Sequence, residues 1–327
     1  MTRIGYALSS EEHPPSALIE NARRAEECGF EYALVSDHFH PWIDRQGQSS
    51  FVWSVIGGIG QATRGLELGT GVTCPIIRCH PAVIAQAAAT AAALMPGRFF
   101  LGVGTGENLN EHVVGEGWPS ADVRLEMLEE AIEIMRLLWR GEQTSYHGAH
   151  YTVEDARVYT LPPKPARIMV AASAPRAAEL AGRVGDGLVS TAPDAELVEQ
   201  FRAAGGEGKP TIGMTHVCYA DDEQTARRTA HEWWPNSAIK GELGQELPLP
   251  RHFEQAASMV SEDDVAESVV CGSDLDAHLT AIDEYAKAGF DHVYVHQVGP
   301  DQDAFFAFYE REVLPVLRDS AGIRLAP

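Results

Sequence analysis

The chain has 327 residues, of which 45% are hydrophobic and 22% charged, a composition typical of a globular protein with a large core. Its formal charge of −22, from 47 acidic against 25 basic residues, disfavours nucleic acid and anionic membranes as partners. No segment approaches the roughly 20 apolar residues that span a bilayer, and the first residues lack the apolar core of a signal peptide. We therefore expect a cytoplasmic protein whose partner is a small molecule.

The five cysteines indicate neither a disulfide framework nor a structural zinc site. Cys28, Cys74, Cys79, Cys218 and Cys271 are scattered along the chain without a CxxC pair. An odd number without regular spacing argues against secretion and against a zinc cluster. We expect buried, reduced thiols, the ordinary state of free cysteine.

Apolar runs rich in β-branched residues alternate with helical patterns through the first half of the chain. Strands are predicted at 3–8, 31–36, 66–74 and 98–104. Helices are predicted at 15–29, within 51–63, at 81–95 and at 121–139. Gly29 is expected to end the first helix, and the segment 121–139 has the clearest amphipathic pattern.

The same alternation continues in the second half. Strands are predicted at 166–172, 187–191, 211–219 and 291–297. Helices are predicted at 177–185, 195–206, 222–234, near 252–260, at 275–289 and at 303–319. Eight strands that alternate with helices indicate parallel strands joined by crossover helices. The fold class is therefore α/β, and the chain length favours a closed (β/α)₈ TIM barrel over an open sheet.

Three segments interrupt the alternation, near 107–120, 140–165 and 235–273. The second is expected to form a short hairpin with a proline-rich exit, and the third contains Pro235, Pro248 and Pro250. Neither is low in complexity, so we interpret them as insertions in a single barrel domain that spans residues 1–327.

In such a barrel the active site lies at the carboxyl ends of the strands. Small, polar and titratable residues collect at these ends, as a ligand pocket requires. They are Ser36-Asp37-His38, residues 71–75, residues 104–111, residues 172–174, Thr191 and His296-Gln297.

Two simple interpretations of these motifs are weak. The pair His38 and His40 could bind a metal, but the fifth and sixth strands end in Ala, Ser and Thr and supply no further ligands. The glycine-rich run 102–111 does not match G-x-G-x-x-G and follows the fourth strand, which argues against a dinucleotide fingerprint. Its glycines would still let backbone approach a ligand, although a tight turn into the next helix explains them equally well.

Four sequence blocks together resemble one enzyme family. They are VSDHFHPW at 35–42, LGTGVTCP at 68–75, FLGVGTGENLNEHVVG at 100–115 and AGRVGDG at 181–187. The chain resembles the luciferase-like barrel superfamily and, within it, the branch that uses the deazaflavin coenzyme F420. The resemblance extends in particular to the F420-dependent glucose-6-phosphate dehydrogenase group and spans essentially the whole chain.

The resemblance implies roles for individual residues. His38 and Glu107 would be the two catalytic groups, and which of them acts as base or acid stays open. Asp37 would hold the deazaflavin ring, and Gly71 and Val72 would form a cis peptide behind it. Other cofactor contacts would be Cys74, Thr105, Gly106 and Asn110 near the ring, and Ser173, Ala174, Arg176 and Ala177 near the phosphate of the tail.

The substrate pocket departs from the family pattern. Trp42 would form a wall and Thr191 matches a phosphate-binding threonine, but Asp194 replaces a lysine and Ser268 stands in the position of an arginine. Only Lys240 could replace the second lysine of that clamp. An aspartate beside a phosphate dianion is unfavourable, so a free sugar or a secondary alcohol is a better candidate than a sugar 6-phosphate.

The sequence therefore predicts a dehydrogenase that moves a hydride from a sugar or secondary alcohol carbon to F420. The alternatives are an F420-dependent reductase that runs in the opposite direction, an FMN-dependent luciferase-like monooxygenase, and a cofactor-binding protein without catalysis. No metal is expected. The resemblance alone implies a homodimer.

Overall fold

Eight parallel strands form a closed barrel in the computed structural model, which describes residues 2–322. The strands are β1 Arg3–Leu8, β2 Tyr32–Val35, β3 Glu67–Thr70, β4 Phe99–Val103, β5 Arg167–Ala171, β6 Gly187–Ser190, β7 Thr211–Cys218 and β8 His292–Gln297. Consecutive strands pair around the ring, and β8 pairs with β1 to close it. The predicted (β/α)₈ barrel is confirmed, and each strand lies within its predicted range.

Helices surround the barrel and cover its outer face. They are Pro15–Cys28, Val52–Ala62, Pro81–Leu94, Asn108–Glu111, Ala121–Leu138, Pro175–Val184, Ala195–Phe201, Glu223–Trp233, Leu243–Glu246, Pro250–Ala257, Glu262–Ala266, Leu275–Ala288, Gln302–Phe308 and Leu314–Gly322. Short 3₁₀ or π turns occur at His112–Val114, Arg202–Gly206, Pro235–Ala238 and Tyr309–Val313. Within residues 2–322, no helix combines the length and apolar character needed to cross a membrane.

The first helix illustrates how the local sequence sets these boundaries. It begins at Pro15, which lacks the N–H group that a first helical turn leaves without a partner. It ends at Cys28 and is capped by Gly29, whose φ of 96° is left-handed and is therefore favourable for glycine. The predicted end of this helix is confirmed.

The interior of the barrel is filled by large side chains that alternate with glycines. A methyl group on Gly69 would lie 2.1 Å from the Phe100 ring, and one on Gly5 would lie 2.6 Å from Tyr294. The strands therefore use glycine where a facing aromatic ring occupies the space. This packing fills the lower barrel and leaves open volume at the carboxyl ends of the strands.

Two of the interrupting segments contain strands of their own. Thr144–His147 and Thr152–Ala156 form an antiparallel hairpin, as predicted for residues 140–165. Val269–Cys271, within the third segment, pairs in parallel with the end of β7 and was not predicted. Three residues between Ser268 and Gly272 are too few to produce a recognisable periodicity.

The hairpin is tied to the barrel by one buried carboxylate. Glu130 accepts hydrogen bonds from the backbone N–H groups of Ala149, His150 and Tyr151, at 2.8–3.1 Å for the shortest bond to each. The Tyr151 hydroxyl then donates to the Ile76 carbonyl at 2.7 Å. The hairpin thus supports the segment after β3, which contributes to the mouth of the barrel.

We expect Glu130→Ala to lower the free energy of unfolding by about 2–3 kcal/mol, because three backbone donors lose a charged acceptor. Urea denaturation of the whole chain measures this. Glu126→Ala is the matched control, since Glu126 lies on the same helix, is 67% exposed and lies 3.4 Å from the His150 ring. Its loss should stay below about 1 kcal/mol. Equal effects of the two variants would contradict the role of Glu130.

Candidate active site

A cavity of about 510 Å³ opens where the barrel strands end. Every one of the eight strands, or the loop directly after it, contributes to its wall. The segment around 234–268 adds side chains that include Trp234 and Phe253 on the outer side. The cavity is therefore at the place where a (β/α)₈ barrel carries its active site.

Ten of the residues predicted for the site line this cavity. They are His38, Trp42, Gly71, Val72, Thr105, Gly106, Glu107, Ser173, Ala177 and Thr191. The peptide bond between Gly71 and Val72 is cis, as the resemblance implies. Most of the predicted site residues therefore lie in the wall of this one cavity.

Asp37 is placed differently from its predicted role. It is 5% exposed and does not line the cavity. Its Oδ1 accepts from the Arg78 guanidinium at 2.9 Å, and its Oδ2 accepts from the Thr73 hydroxyl at 2.7 Å. The loop after β2 turns this side chain toward Arg78 and Thr73, and its contact with the deazaflavin ring stays a prediction.

Arg78 connects two buried carboxylates behind the cavity. Besides Asp37, it contacts Glu111, which accepts from the Arg78 backbone N–H at 2.7 Å and faces its side-chain Nε at 3.4 Å. Burial raises the pKa of Glu111 even though Arg78 opposes the change. Burial lowers the pKa of Arg78, but Asp37 and Glu111 together raise it above its usual value. The cation is therefore held in its charged form by both acids.

Asn110 and Cys74 also lie behind the wall. The Asn110 Oδ1 accepts from the backbone N–H groups of Phe39 and His40 at 2.8 and 3.1 Å, which fixes the turn that carries His38. Its Nδ2 donates to Glu107 Oε2 at 3.2 Å. Burial raises the pKa of the Cys74 thiol well above its usual value, which makes it unsuitable as a nucleophile.

Three further predicted residues lie outside the cavity wall. Ala174 precedes the helix Pro175–Val184, and Arg176 forms an exposed ion pair with Asp122. Lys240 is 83% exposed, and its Nζ lies 3.6 Å from Glu267. The structure therefore does not bring Lys240 to the cavity, because the loop that carries it directs it to solvent.

The structure pairs His38 with Glu11, a residue that the sequence analysis passed over. His38 Nδ1 lies 3.2 Å from the His40 carbonyl, and its Nε2 lies 3.4 Å from Glu11 Oε1. Hydroxyls of Ser9 and Ser36 donate to Glu11 Oε2 at 2.9 and 2.7 Å. Burial raises the pKa of Glu11, but the His38 ring and the two hydroxyls hold it below its usual value. A buried carboxylate thus faces the imidazole.

Glu11 and its neighbour Glu12 belong to the run Ser9–His13, which follows β1 directly. The rule that identified the other strand ends applies equally to this one, so the signal was present in the sequence. Glu12 contacts His296 at 2.7 Å, and His296 contacts His216 at 2.9 Å. Among the described residues, no three His, Cys, Asp or Glu side chains converge as metal ligands do.

The sequence profile described as luciferase-like monooxygenase matches residues 1–292. This chain belongs to the luciferase-like family. The resemblance inferred from the four sequence blocks is therefore confirmed.

Luciferase-like relatives of high similarity cover nearly the whole chain. The F420-dependent glucose-6-phosphate dehydrogenase of Microbacterium testaceum is 37% identical over 97% of each chain. The F420-dependent hydroxymycolic acid dehydrogenase of Mycobacterium tuberculosis is 38% identical over 96% of this chain and 88% of its own. A solved F420-dependent secondary alcohol dehydrogenase, in complex with an F420-acetone adduct, superposes with a TM-score of 0.90 at 30% identity, over 97% of this chain and 99% of its own.

We expect Arg78→Met to lower the free energy of unfolding by about 3–5 kcal/mol, because it leaves two buried carboxylates without their cation. Urea denaturation near neutral pH measures the loss. Arg136→Met is the control, since the ion pair of Arg136 with Asp186 has both side chains 42% exposed. That variant should lose less than about 1 kcal/mol. An Arg78 variant as stable as the control would show that the buried network contributes little.

Proposed function

We propose that this chain is an F420-dependent dehydrogenase that transfers a hydride from the carbon of a neutral secondary alcohol or sugar to the deazaflavin. The observation that carries the proposal is the imidazole–carboxylate pair of His38 and Glu11 at one side of a cavity with an apolar floor. Relatives with 37–38% identity over almost the full chain are F420-dependent dehydrogenases, which supports the same cofactor here.

The floor of the cavity fits a flat ring. Val72, Gly104 and Ala171 present small apolar surfaces side by side, and a methyl group on Gly104 would lie 2.9 Å from Val72. A larger side chain at this position would fill the space that a planar ring needs. An oxidised deazaflavin held by these residues would supply the hydride acceptor. The adjacent Ser173 and Ala177 would lie beside the cofactor tail.

We assign the proton-accepting role to His38. Its Nδ1 lies 3.2 Å from the His40 carbonyl, which only accepts, so Nδ1 carries the proton of the neutral ring. Its Nε2 lies 3.4 Å from Glu11 Oε1, beyond ordinary hydrogen-bond distance, and is therefore the nitrogen with the lone pair. A proton taken from the alcohol at Nε2 would produce an imidazolium opposite Glu11, whose carboxylate stabilises that charge. Glu107 is proposed as a second proton-handling group, oriented by Asn110.

The charge of the cavity favours a neutral substrate. Among the described residues, those that line the cavity include no lysine or arginine. Asp194 caps the helix Ala195–Phe201 by accepting two backbone hydrogen bonds, and Lys240 lies in solvent beside Glu267. A phosphate dianion would enter without a cation to compensate its charge, which is costly.

We expect the purified protein to bleach the visible absorbance of oxidised F420 under anaerobic conditions with a neutral alcohol or sugar. Activity with glucose or a simple secondary alcohol should exceed activity with glucose 6-phosphate. His38→Ala should lower kcat by about 10²–10⁴-fold, the usual contribution of a general base, while F420 still binds. Steady-state kinetics and a fluorescence titration measure the two effects.

The control for this variant is His40→Gln, two residues along the same turn, because His40 points to the Leu109 carbonyl and does not line the cavity. Its kcat should stay close to that of the parent. Turnover with FMN and oxygen in place of F420 would favour a monooxygenase. Tight F420 binding without bleaching by any alcohol would favour a reductase.

We further propose a homodimer in which the helices Val52–Ala62 and Pro81–Leu94 face the partner. Their outer surface, together with the residue before the first of them, exposes large apolar side chains. Phe51 is 62% exposed, Val83 58% and Leu94 46%. Val83 and Leu94 lie on one face of their helix, because eleven residues make about three turns. Apolar side chains exposed along one face favour contact with a partner. The resemblance to the luciferase-like superfamily supports a second copy of the same chain as the partner.

We expect light scattering to give the mass of two chains for the parent and of one chain for the double variant Val83→Glu/Leu94→Glu, because a buried carboxylate disfavours association. Met259→Glu is the control, since Met259 is 83% exposed on another part of the surface. It should remain dimeric. A monomeric parent protein would contradict this proposal.

A further inference from the structure

A line of hydrogen bonds, separate from the His38–Glu11 pair, begins at Glu12, the residue after Glu11. Glu12 Oε1 accepts from the Gly299 backbone N–H at 2.8 Å, and Oε2 contacts His296 Nε2 at 2.7 Å. His296 Nδ1 contacts His216 Nδ1 at 2.9 Å. Three side chains therefore form a line from the end of β1 through β8 to β7.

The line runs from the protein interior to the cavity. Glu12 is 6% exposed and does not line the cavity, whereas His296, at 3% exposed, and the partly buried His216 both line it. The Trp234 ring lies 5.6 Å from the His216 ring and belongs to the apolar cluster against which Trp42 packs. His216 therefore faces the part of the cavity that is closed by the two tryptophans.

The carboxylate fixes the direction of every hydrogen bond in this line when both rings are neutral. An ionised Glu12 only accepts, so His296 carries its proton on Nε2. His296 Nδ1 is then a lone pair, and the shared bond requires His216 to carry its proton on Nδ1. His216 Nε2 is left as a lone pair, and none of residues 2–322 hydrogen-bonds to it.

We infer that the Glu12–His296–His216 line presents a hydrogen-bond acceptor to the substrate and selects alcohols that carry a second hydroxyl near the one that is oxidised. The substrate class is thus a neutral diol or polyol, because a hydroxyl donates to Nε2 whereas an ether or carbonyl oxygen cannot. This assignment of substrate rests on the proposed function, but the direction of the hydrogen bonds does not.

His216 keeps this lone pair at ordinary pH. Burial, with a further contribution from the nearby His296, lowers the pKa of His216 to about 3. Protonation would convert the acceptor into a donor, and a lowered pKa means that this requires strong acid. We therefore expect His216 to stay neutral from about pH 5 to pH 8.

Glu12→Gln should reverse the direction of the hydrogen bonds in the line without moving its side chains. The Gly299 N–H requires the carbonyl oxygen of the new amide, so the amide NH₂ group faces His296. His296 Nε2 must then accept, Nδ1 must donate to His216, and His216 Nε2 must carry the proton. The cavity would present a donor in place of an acceptor.

Nitrogen-15 NMR of histidine-labelled full-length protein tests this at about pH 8, above the usual pKa of imidazole. The parent should show His216 protonated on Nδ1 only, and Glu12→Gln should show it protonated on Nε2 only. A parent protein with a proton on Nε2 would overturn the inference, because His296 would then be a cation. So would an unchanged tautomer in a folded Glu12→Gln variant.

Two probes test selection of the second hydroxyl. Propane-1,2-diol and 1-methoxypropan-2-ol share the secondary alcohol and differ in whether the second oxygen can donate. The diol should move the His216 Nε2 resonance and the ether should not, and this readout needs no turnover. With F420 present, kcat/KM should favour the diol by about tenfold or more, mainly through KM.

His216→Leu provides a second variant that keeps Glu12 paired with His296. It should bring the ratio of kcat/KM for diol and ether close to one while the ether is still oxidised. An unchanged ratio would overturn the selection. If neither probe reduces F420 but the diol still moves the His216 Nε2 resonance, the proposed reaction is wrong. The inferred hydrogen-bond acceptor is then still supported.

Discussion

Closure of the parallel sheet is the constraint on which the cavity depends. Because β8 pairs with β1, with Tyr6 opposite Val295, the first strand has a neighbour on each side and no free edge. The carboxyl ends of all eight strands then meet at one rim. Residues that lie far apart in the sequence, such as Glu12 and His296, are brought within 2.7 Å only by this closure.

Glu11 and Glu12 follow β1, and each contacts a residue in, or just after, a different neighbouring strand. Glu11 turns toward β2 and faces His38, whereas Glu12 turns toward β8 and faces His296. An isolated buried carboxylate would be costly, and each is compensated by an imidazole and by hydrogen-bond donors. Although acidic residues are in excess over the whole chain, neither Glu11 nor Glu12 is left without a partner. One short segment thus organises both sides of the cavity.

Much of this could be predicted from the sequence, because strand periodicity and strand-end chemistry are local properties. They gave the eight strands and, together with the family resemblance, ten residues of the cavity wall, including His38 and Glu107. They did not give the direction of Asp37, which depends on the path of the loop and on a cation 41 positions later, Arg78. The strand Val269–Cys271 was not predicted for a related reason, because these three residues form a strand through their pairing with β7 and not through a pattern of their own.

Two of the imidazoles that line the cavity, His38 and His216, differ because different groups hold their inner nitrogens. A backbone carbonyl holds His38 Nδ1, so Nε2 can take a proton, and Glu11 stabilises the cation that results. For His216, the inner partner is another imidazole, and burial beside it makes the charged state unfavourable. The first ring is therefore suited to accept a proton and the second to accept only a hydrogen bond. A reaction that removes a proton from one hydroxyl while a neighbouring hydroxyl stays intact needs this difference.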